Sequence, residues 1–144
     1  MPAKVTDYMT RKVITITPEQ GVREAFFIMK EHSIRHLPVI GDTRKLVGIV
    51  SDRELRRPNW VDEAHDIAHV YLLDDAMQVS DVMIRNVHVL HTYDTLLKAT
   101  QLLLDRNVGA LPVLDKNEDL AGMLSAVDLL RAFSDTISEQ RARG

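Results

Sequence analysis

The tripeptide Leu37-Pro38-Val39 decides the fold, because it returns 74 positions later as Leu111-Pro112-Val113. At this offset, residues 5–57 align without a gap on residues 79–131, and fourteen positions carry the same residue. Besides the tripeptide and Ala25, the identities form an N-terminal and a C-terminal group: Val5, Asp7, Met9, Arg11 and Val13; then Leu46, Gly48, Ser51, Leu55 and Arg57. A repeat at a fixed period predicts one structural unit used twice.

The composition is that of an ordinary globular domain. The chain has 144 residues, 45% hydrophobic residues and a formal net charge of −3, all typical values. One repeat of about 50 residues makes a marginal core, so we expect the two repeats to share one. Because cysteine is absent, disulfides, thiol nucleophiles and thiolate metal sites are excluded.

The sequence also limits the partners. The weakly acidic chain carries scattered lysines and arginines, which is not the charge pattern of a nucleic-acid-binding protein. It has no N-terminal apolar run typical of a signal peptide, and no later run approaches the roughly 18 residues of a membrane span. We therefore expect a cytoplasmic protein that binds neither nucleic acid nor membranes.

Each repeat carries the signals of a strand, a helix, two strands and a second helix, which predicts an α/β (α+β) fold. Residues 13–16 are β-branched and predict a strand. Thr17-Pro18-Glu19-Gln20 combines an N-cap hydroxyl, a proline and a capping glutamine, and so predicts a helix start at Thr17. Residues 36–40 and 46–50 predict a hairpin, and Ser51 opens the last helix. The second repeat follows the same order.

These signals divide the chain into four segments. Residues 1–57 form repeat 1, residues 58–78 a connector, residues 79–134 repeat 2 and residues 135–144 a polar C-terminal tail. We expect the tail to fray.

Several motifs together resemble a known family. Asp7-Tyr8-Met9-Thr10, Thr17-Pro18, Ile34-Arg35-His36-Leu37-Pro38-Val39 and Gly48-Ile49-Val50-Ser51 resemble one cystathionine-β-synthase (CBS) domain, and their counterparts resemble a second. The pair resembles a Bateman module of the acetoin-utilisation-like or IMP-dehydrogenase-associated type. The resemblance implies two β-α-β-β-α repeats packed sheet to sheet with pseudo-twofold symmetry. It also implies a homodimer, and two clefts between the repeats that bind AMP, ADP, ATP or S-adenosylmethionine.

The chemistry of ribose indicates which residue matters most in such a cleft. A carboxylate can accept hydrogen bonds from two neighbouring hydroxyls. The family carries this carboxylate three residues after a serine or threonine, which here gives Ser125 and Asp128. The resemblance implies that Ile34 and Val22 sandwich the purine and that Arg35 contacts a phosphate. The complete first cleft would contain Thr17, Val22, Ile34, Arg35, His36, Ser125 and Asp128.

The implied second cleft departs from the family pattern twice. Glu54 stands in place of the aspartate, and His91-Thr92 in place of Thr-Pro. The complete set would be Ser51, Glu54, His91, Leu96, Val108, Gly109 and Ala110. Both carboxylates have a second interpretation, because a serine followed three residues later by an acid also caps a helix. Ser51 with Glu54 matches this capping box better than Ser125 with Asp128.

Other functional classes find less support in the sequence. His65 with His69 and His88 with His91 have metal-ligand spacing, but neither pair has an evident third ligand. A stand-alone enzyme is not expected, because no catalytic triad, glycine-rich phosphate loop or acid–base pair is evident. The alternative to a ligand sensor is a ligand-free dimerisation or protein-interaction module. In either case the effector protein is unknown, and no cofactor is expected.

Overall fold

The computed structural model describes residues 3–55 and 77–143, which fall into two compact units. One unit is Ile14–Val87, and the other combines Met1–Val13 with His88–Gly144. We call them the repeat-1 unit and the repeat-2 unit. Each unit therefore contains the short segment that begins the other repeat. Most of the predicted connector, residues 58–76, lies outside the described residues.

The repeat-1 unit contains a helix, a hairpin and two short helices. Its elements are α1 (Val22–His32), β1 (His36–Ile40), β2 (Leu46–Ser51), α2 (Asp52–Leu55) and α3 (Val79–Val82). β1 and β2 are antiparallel, with Leu37 opposite Val50 and His36 opposite Ser51. Ile16 lies beside Val39 in an isolated parallel bridge.

The repeat-2 unit has the same plan with a third strand. A 3₁₀-helix (Val5–Asp7) is followed by β3 (Leu90–His91), α4 (Leu96–Arg106), β4 (Ala110–Leu114), β5 (Leu120–Ser125) and α5 (Ala126–Arg143). The sheet order is β3-β4-β5, with β3 parallel to β4 and β4 antiparallel to β5. The predicted α+β class is confirmed. In the part of the chain that the structure describes, no helix is both long and apolar enough to cross a membrane.

The strand predicted at residues 13–16 is wrong, since only Ile16 pairs with a neighbour. In repeat 2, the Thr92 amide donates to Leu114 O at 2.9 Å and so continues the pairing of β3. The position equivalent to Thr92 in repeat 1 is Pro18, which has no N–H to donate. The pairing therefore ends after one residue.

The predicted start of α1 at Thr17 is also wrong. The Thr17 amide does bond to Gln20 Oε1 at 2.9 Å, but the helix begins only at Val22, after the extended residue Gly21. Gly21 is held extended by pairing with Gln78, and the Val22 amide donates to Met77 O at 3.1 Å. This pairing with a distant segment overrides the local signal.

Residues 135–143, which we expect to fray, belong to a helix. α5 continues to Arg143, and its polar side chains are exposed. The Tyr8 hydroxyl donates to Asp135 Oδ2 at 2.6 Å, which ties the start of this segment to the N-terminal residues of the same unit.

The expected single core is replaced by two clusters of buried side chains, one in each unit. The repeat-1 cluster includes Val79 and Met83, whereas the repeat-2 cluster includes Val5 and Met9. Each repeat thus contributes its opening segment to the core of the other unit. Each core is completed by about two apolar side chains that its own repeat does not provide.

The repeated glycines Gly48 and Gly122 are explained by this exchange. A Cβ on Gly122 would lie 2.7 Å from Thr10 O and 2.8 Å from Met9 Sδ. A Cβ on Gly48 would lie 2.7 Å from Met83 Sδ and 2.9 Å from Ile84 O. Only glycine permits so close an approach of the opening segment.

Candidate functional site

Ser125 and Asp128 form a reciprocal cap at the start of α5. The Ser125 amide donates to Asp128 Oδ2 at 2.9 Å, and its hydroxyl lies 3.1 Å from the same oxygen. The Asp128 amide lies 3.3 Å from Ser125 Oγ. Both halves of a capping box are therefore present at Ser125 and Asp128. The side chain of Glu54, which belongs to the other predicted capping box, lies outside the part of the chain that the structure describes.

Asp128 is also paired and buried. Arg131 Nη1 lies 3.1 Å from Asp128 Oδ1, and Asp128 is only 3% exposed. The cap and the ion pair fix the orientation of the carboxylate. Each carboxylate oxygen can accept about two hydrogen bonds, so Oδ1 retains acceptor capacity beyond its bond to Arg131.

Ile34, Arg35 and His36 lie where α1 passes into β1. Ser33 takes the left-handed conformation with φ 54°, and the Ile34 amide then donates to Met29 O at 2.9 Å. Ile34 packs against the repeat-1 core, whereas Arg35 is exposed. Arg35 O accepts from the Asp52 amide at 3.0 Å, which places this peptide beside the start of α2.

The other two predicted residues of the first cleft differ in burial. Val22 is 1% exposed and belongs to the repeat-1 core, whereas Thr17 is exposed. The structure therefore brings five of the predicted residues into the repeat-1 unit: Thr17, Val22, Ile34, Arg35 and His36. Ser125 and Asp128 lie in the repeat-2 unit.

Ile34 and Arg35 also line a cavity that belongs to the repeat-1 unit alone. Its volume is about 370 Å³, and the other lining residues are Phe26, Met29, Lys30, Ser33 and Asp52. Of the seven described residues that line it, the sequence prediction named two, Ile34 and Arg35. The others come from the C-terminal half of α1 and from the first residue of α2, and no local motif marks them as neighbours.

A model of the CBS domain family matches residues 5–58 and 79–135, which is most of the chain. The chain belongs to the CBS domain family. The two matched stretches are the two repeats of the sequence.

Solved CBS-pair structures share the fold of this chain. It is similar to CBSX2 in complex with AMP, with a TM-score of 0.78, 29% identity, and coverage of 93% of this chain and 98% of that one; CBSX2 is a protein of Arabidopsis thaliana. It is also similar to the AcuB protein from Vibrio cholerae, with a TM-score of 0.77, 25% identity, and coverage of 99% and 98%. These likenesses confirm the resemblance to the acetoin-utilisation type of CBS pair.

A longer archaeal protein contains a similar stretch. The chain is 29% identical to the uncharacterised protein MJ1225 of Methanocaldococcus jannaschii over 131 residues, covering 90% of this chain. It spans 47% of the length of MJ1225.

The second CBS cleft is likewise predicted from residues of both units. Ser51 ends β2, while the side chain of Glu54 lies outside the part of the chain that the structure describes. The remaining predicted residues are in the repeat-2 unit: His91, Leu96, Val108, Gly109 and Ala110. Gly109 O accepts from the Ala126 amide at 2.9 Å, as Arg35 O does from Asp52.

His91 is engaged with its neighbours in the repeat-2 unit. Its Nε2 lies 3.2 Å from Glu118 Oε1, and its ring stacks on Tyr93 with 5.1 Å between centroids. No cluster of three or more histidine, aspartate or glutamate side chains suited to a metal ion occurs among residues 3–55 and 77–143. His65 and His69 lie outside these residues.

Sequence reasoning missed the partner of Asp128. The partner is Arg131, which pairs with Asp128 three residues earlier in the same helix. The spacing of three within a helix is the signal that could have found it.

Proposed function

We propose that this CBS pair is a regulatory module that binds AMP or a related adenosine nucleotide in a cleft between its repeats. Asp128 accepts hydrogen bonds from the ribose hydroxyls, with Ser125 beside it. Thr17, Val22, Ile34, Arg35 and His36 form the opposite side, where the purine lies against Ile34.

The observation that carries this proposal is the fixed, buried carboxylate of Asp128. Burial strengthens a hydrogen bond to charge, because water competes less well for the carboxylate. The similarity to CBSX2, whose structure contains AMP, supports an adenosine ligand. Because Val22 is 1% exposed and belongs to the core on which Ile34 packs, it offers the purine little contact surface.

A ligand that contacts both repeats can regulate a partner protein through their relative orientation. A ligand that binds one relative orientation of the repeats more tightly shifts the population toward it, and a partner protein reads that orientation. The shift cannot exceed the ratio of the two affinities. We propose that the module works as a cytoplasmic homodimer without catalytic activity of its own, and that the effector is a separate protein or a further domain.

Calorimetric titration with AMP tests the proposal. Asp128→Asn keeps the size of the side chain but removes its charge, so AMP affinity should fall by about tenfold or more. The matched control is Asp81→Asn, because Asp81 also caps a short helix, accepting from the Gln78 amide at 2.9 Å, but is not a predicted ligand residue. Equal AMP affinity in the parent and in Asp128→Asn would contradict the proposal.

One observation favours the ligand-free interaction module as a second candidate. Val127, Leu130 and Phe133 of α5 are 55%, 65% and 63% exposed, although all are apolar. Apolar exposure at a spacing of three marks a helix face available to another protein. Sedimentation velocity with and without AMP separates the candidates: a stable dimer in a protein that binds no nucleotide would favour the interaction module.

A further inference from the structure

The cavity of the repeat-1 unit has the size and lining of a small-ligand site. Its volume of about 370 Å³ is at the low end of the range for ligand pockets, roughly 300–1,000 Å³. Phe26 and Met29 are buried, at 6% and 3% exposure, and form an apolar wall together with Ile34. The cavity thus combines an apolar wall with polar and charged groups, which together could hold an amphipathic ligand.

The polar groups of this cavity are mostly cationic. Lys30, Arg35 and Asp52 line it, so the two cations and one carboxylate give a formal charge of +1. Lys30 Nζ lies 5.7 Å from the centroid of the Phe26 ring, which places the ammonium group over the apolar wall. Within residues 3–55 and 77–143, neither Lys30 nor Arg35 forms a salt bridge with a carboxylate. No described residue therefore neutralises the charge of Lys30 or Arg35 in an ion pair.

At the equivalent position, the repeat-2 unit has the same left-handed backbone conformation but lacks the charged side chains. Asn107 takes the left-handed conformation that Ser33 takes, with φ 53° against 54°. The residues 74 positions after Lys30, Arg35 and Asp52 are Leu104, Gly109 and Ala126. Since the second copy folds with uncharged residues there, the fold does not require the cations.

We propose that this cavity receives the anionic end of the bound ligand, so that the module selects phosphorylated adenosine nucleotides over uncharged or cationic adenosyl compounds. Lys30 and Arg35 attract a phosphate, and they repel the sulfonium group of S-adenosylmethionine. Asp52 adds to the selection, because its carboxylate disfavours ligands that carry more negative charge than Lys30 and Arg35 can neutralise. This inference rests on the proposed function, since it concerns the same ligand and shares Ile34 and Arg35 with the proposed cleft.

Calorimetric titration with four probes tests the inference: AMP, adenosine, 5′-methylthioadenosine and S-adenosylmethionine. The parent should bind AMP about tenfold or more tightly than adenosine, because a phosphate adds charged hydrogen bonds. Lys30→Gln and Arg35→Gln should each lower AMP affinity severalfold and leave adenosine affinity unchanged. Raising the ionic strength should weaken AMP binding more than adenosine binding.

Lys116→Gln is the matched control. It removes an exposed cation from the hairpin loop of the repeat-2 unit, and should change neither affinity. Inorganic phosphate serves as a competitor that separates recognition of the phosphate group from recognition of the whole nucleotide; it should weaken AMP binding in the parent and not in Lys30→Gln.

The outcomes distinguish this inference from the proposed function. If the parent binds none of the four probes, both are wrong. If it binds adenosine or methylthioadenosine as tightly as AMP, the proposed function stands and the phosphate preference is overturned. If Lys30→Gln and Arg35→Gln weaken AMP and adenosine equally, the two cations do not read the phosphate, and the inference is again overturned.

Discussion

The two repeats share their backbone more closely than their side chains. Both have a left-handed residue after the first long helix, at Ser33 and Asn107, and a second in the hairpin loop, at Arg44 and Glu118. Both hairpins also shift register after the fourth paired residue, between Val39 and Ile40 and between Val113 and Leu114. The residues at the proposed ligand-facing positions differ in charge: Lys30, Arg35 and Asp52 of repeat 1 correspond to Leu104, Gly109 and Ala126 of repeat 2. The same backbone is therefore compatible with different side chains at the proposed site.

The two repeats are alike at Gly48 and Gly122, and substitution of these glycines should have the largest effect on stability. Gly122→Ala and Gly48→Ala should each lower the free energy of unfolding by about 1–3 kcal/mol, because the new methyl group meets backbone and methionine atoms. Chemical denaturation measures the effect. Gly21→Ala is the control, since its nearest contact would be Met77 O at 3.8 Å. Equal stability of all three variants would show that the opening segments do not pack on the glycines.

Removing the carboxylate of Asp128 should have the next largest effect. Asp128→Ala should cost about 1–2 kcal/mol of stability, since it removes a buried cap and its reciprocal bonds. Asp81→Ala removes an exposed cap and should cost less, about 0.5 kcal/mol. Denaturation at neutral pH measures both variants. If Asp128→Ala lowers the free energy of unfolding no more than Asp81→Ala does, then Asp128 does not stabilise the fold as a buried cap.

The N-caps of the equivalent helices α1 and α4 differ, and this difference can be tested. Thr95 caps α4 by accepting from the Lys98 amide at 3.2 Å, whereas Gly21 caps α1 without a side chain. Thr95→Ala should therefore cost about 1 kcal/mol, and Thr95→Gly only a few tenths of a kcal/mol. Thermal unfolding of both variants measures this. A Thr95→Ala protein as stable as the parent would show that the hydroxyl does not cap the helix.

The smallest expected effect concerns Tyr8, whose counterpart in repeat 2 is Val82. The hydrogen bond to Asp135 raises the pKa of the Tyr8 phenol. A raised pKa means that the contribution to stability is present below the unfolded pKa of about 10 and is lost as pH rises through the higher folded value. Ultraviolet titration should show a late-ionising tyrosine in the parent that is absent from Tyr8→Phe. Ionisation of all tyrosines at the ordinary pKa would contradict the contact.

Much of the fold could be predicted because the signals are local and occur twice. The hairpins, α4 and the short last helix of repeat 1 follow from apolar periodicity and turn residues. The start of α1 could not be predicted in this way, because Gly21 is held extended by Gln78, fifty-seven positions later. The same holds for the N-terminal residues, whose packing in the repeat-2 unit depends on long-range contacts with Gly122.

The candidate site could be predicted in its residue types but not in its surroundings. Ribose chemistry favours a carboxylate, and the resemblance to CBS domains implies that it is Asp128. The burial of Asp128 and its pairing with Arg131 depend on the folded helix. The cationic cavity was missed because Lys30 and Asp52 lie on different elements and belong to no motif. Comparison of the two repeats, position by position, recovers it, since the charges occur in only one copy.

A crystal structure of the protein with AMP tests the central claim most directly. The account predicts AMP with its ribose hydroxyls within hydrogen-bonding distance of Asp128 and its purine against Ile34. AMP bound away from Asp128, or no AMP in crystals grown at nucleotide concentrations that saturate CBSX2, would contradict it.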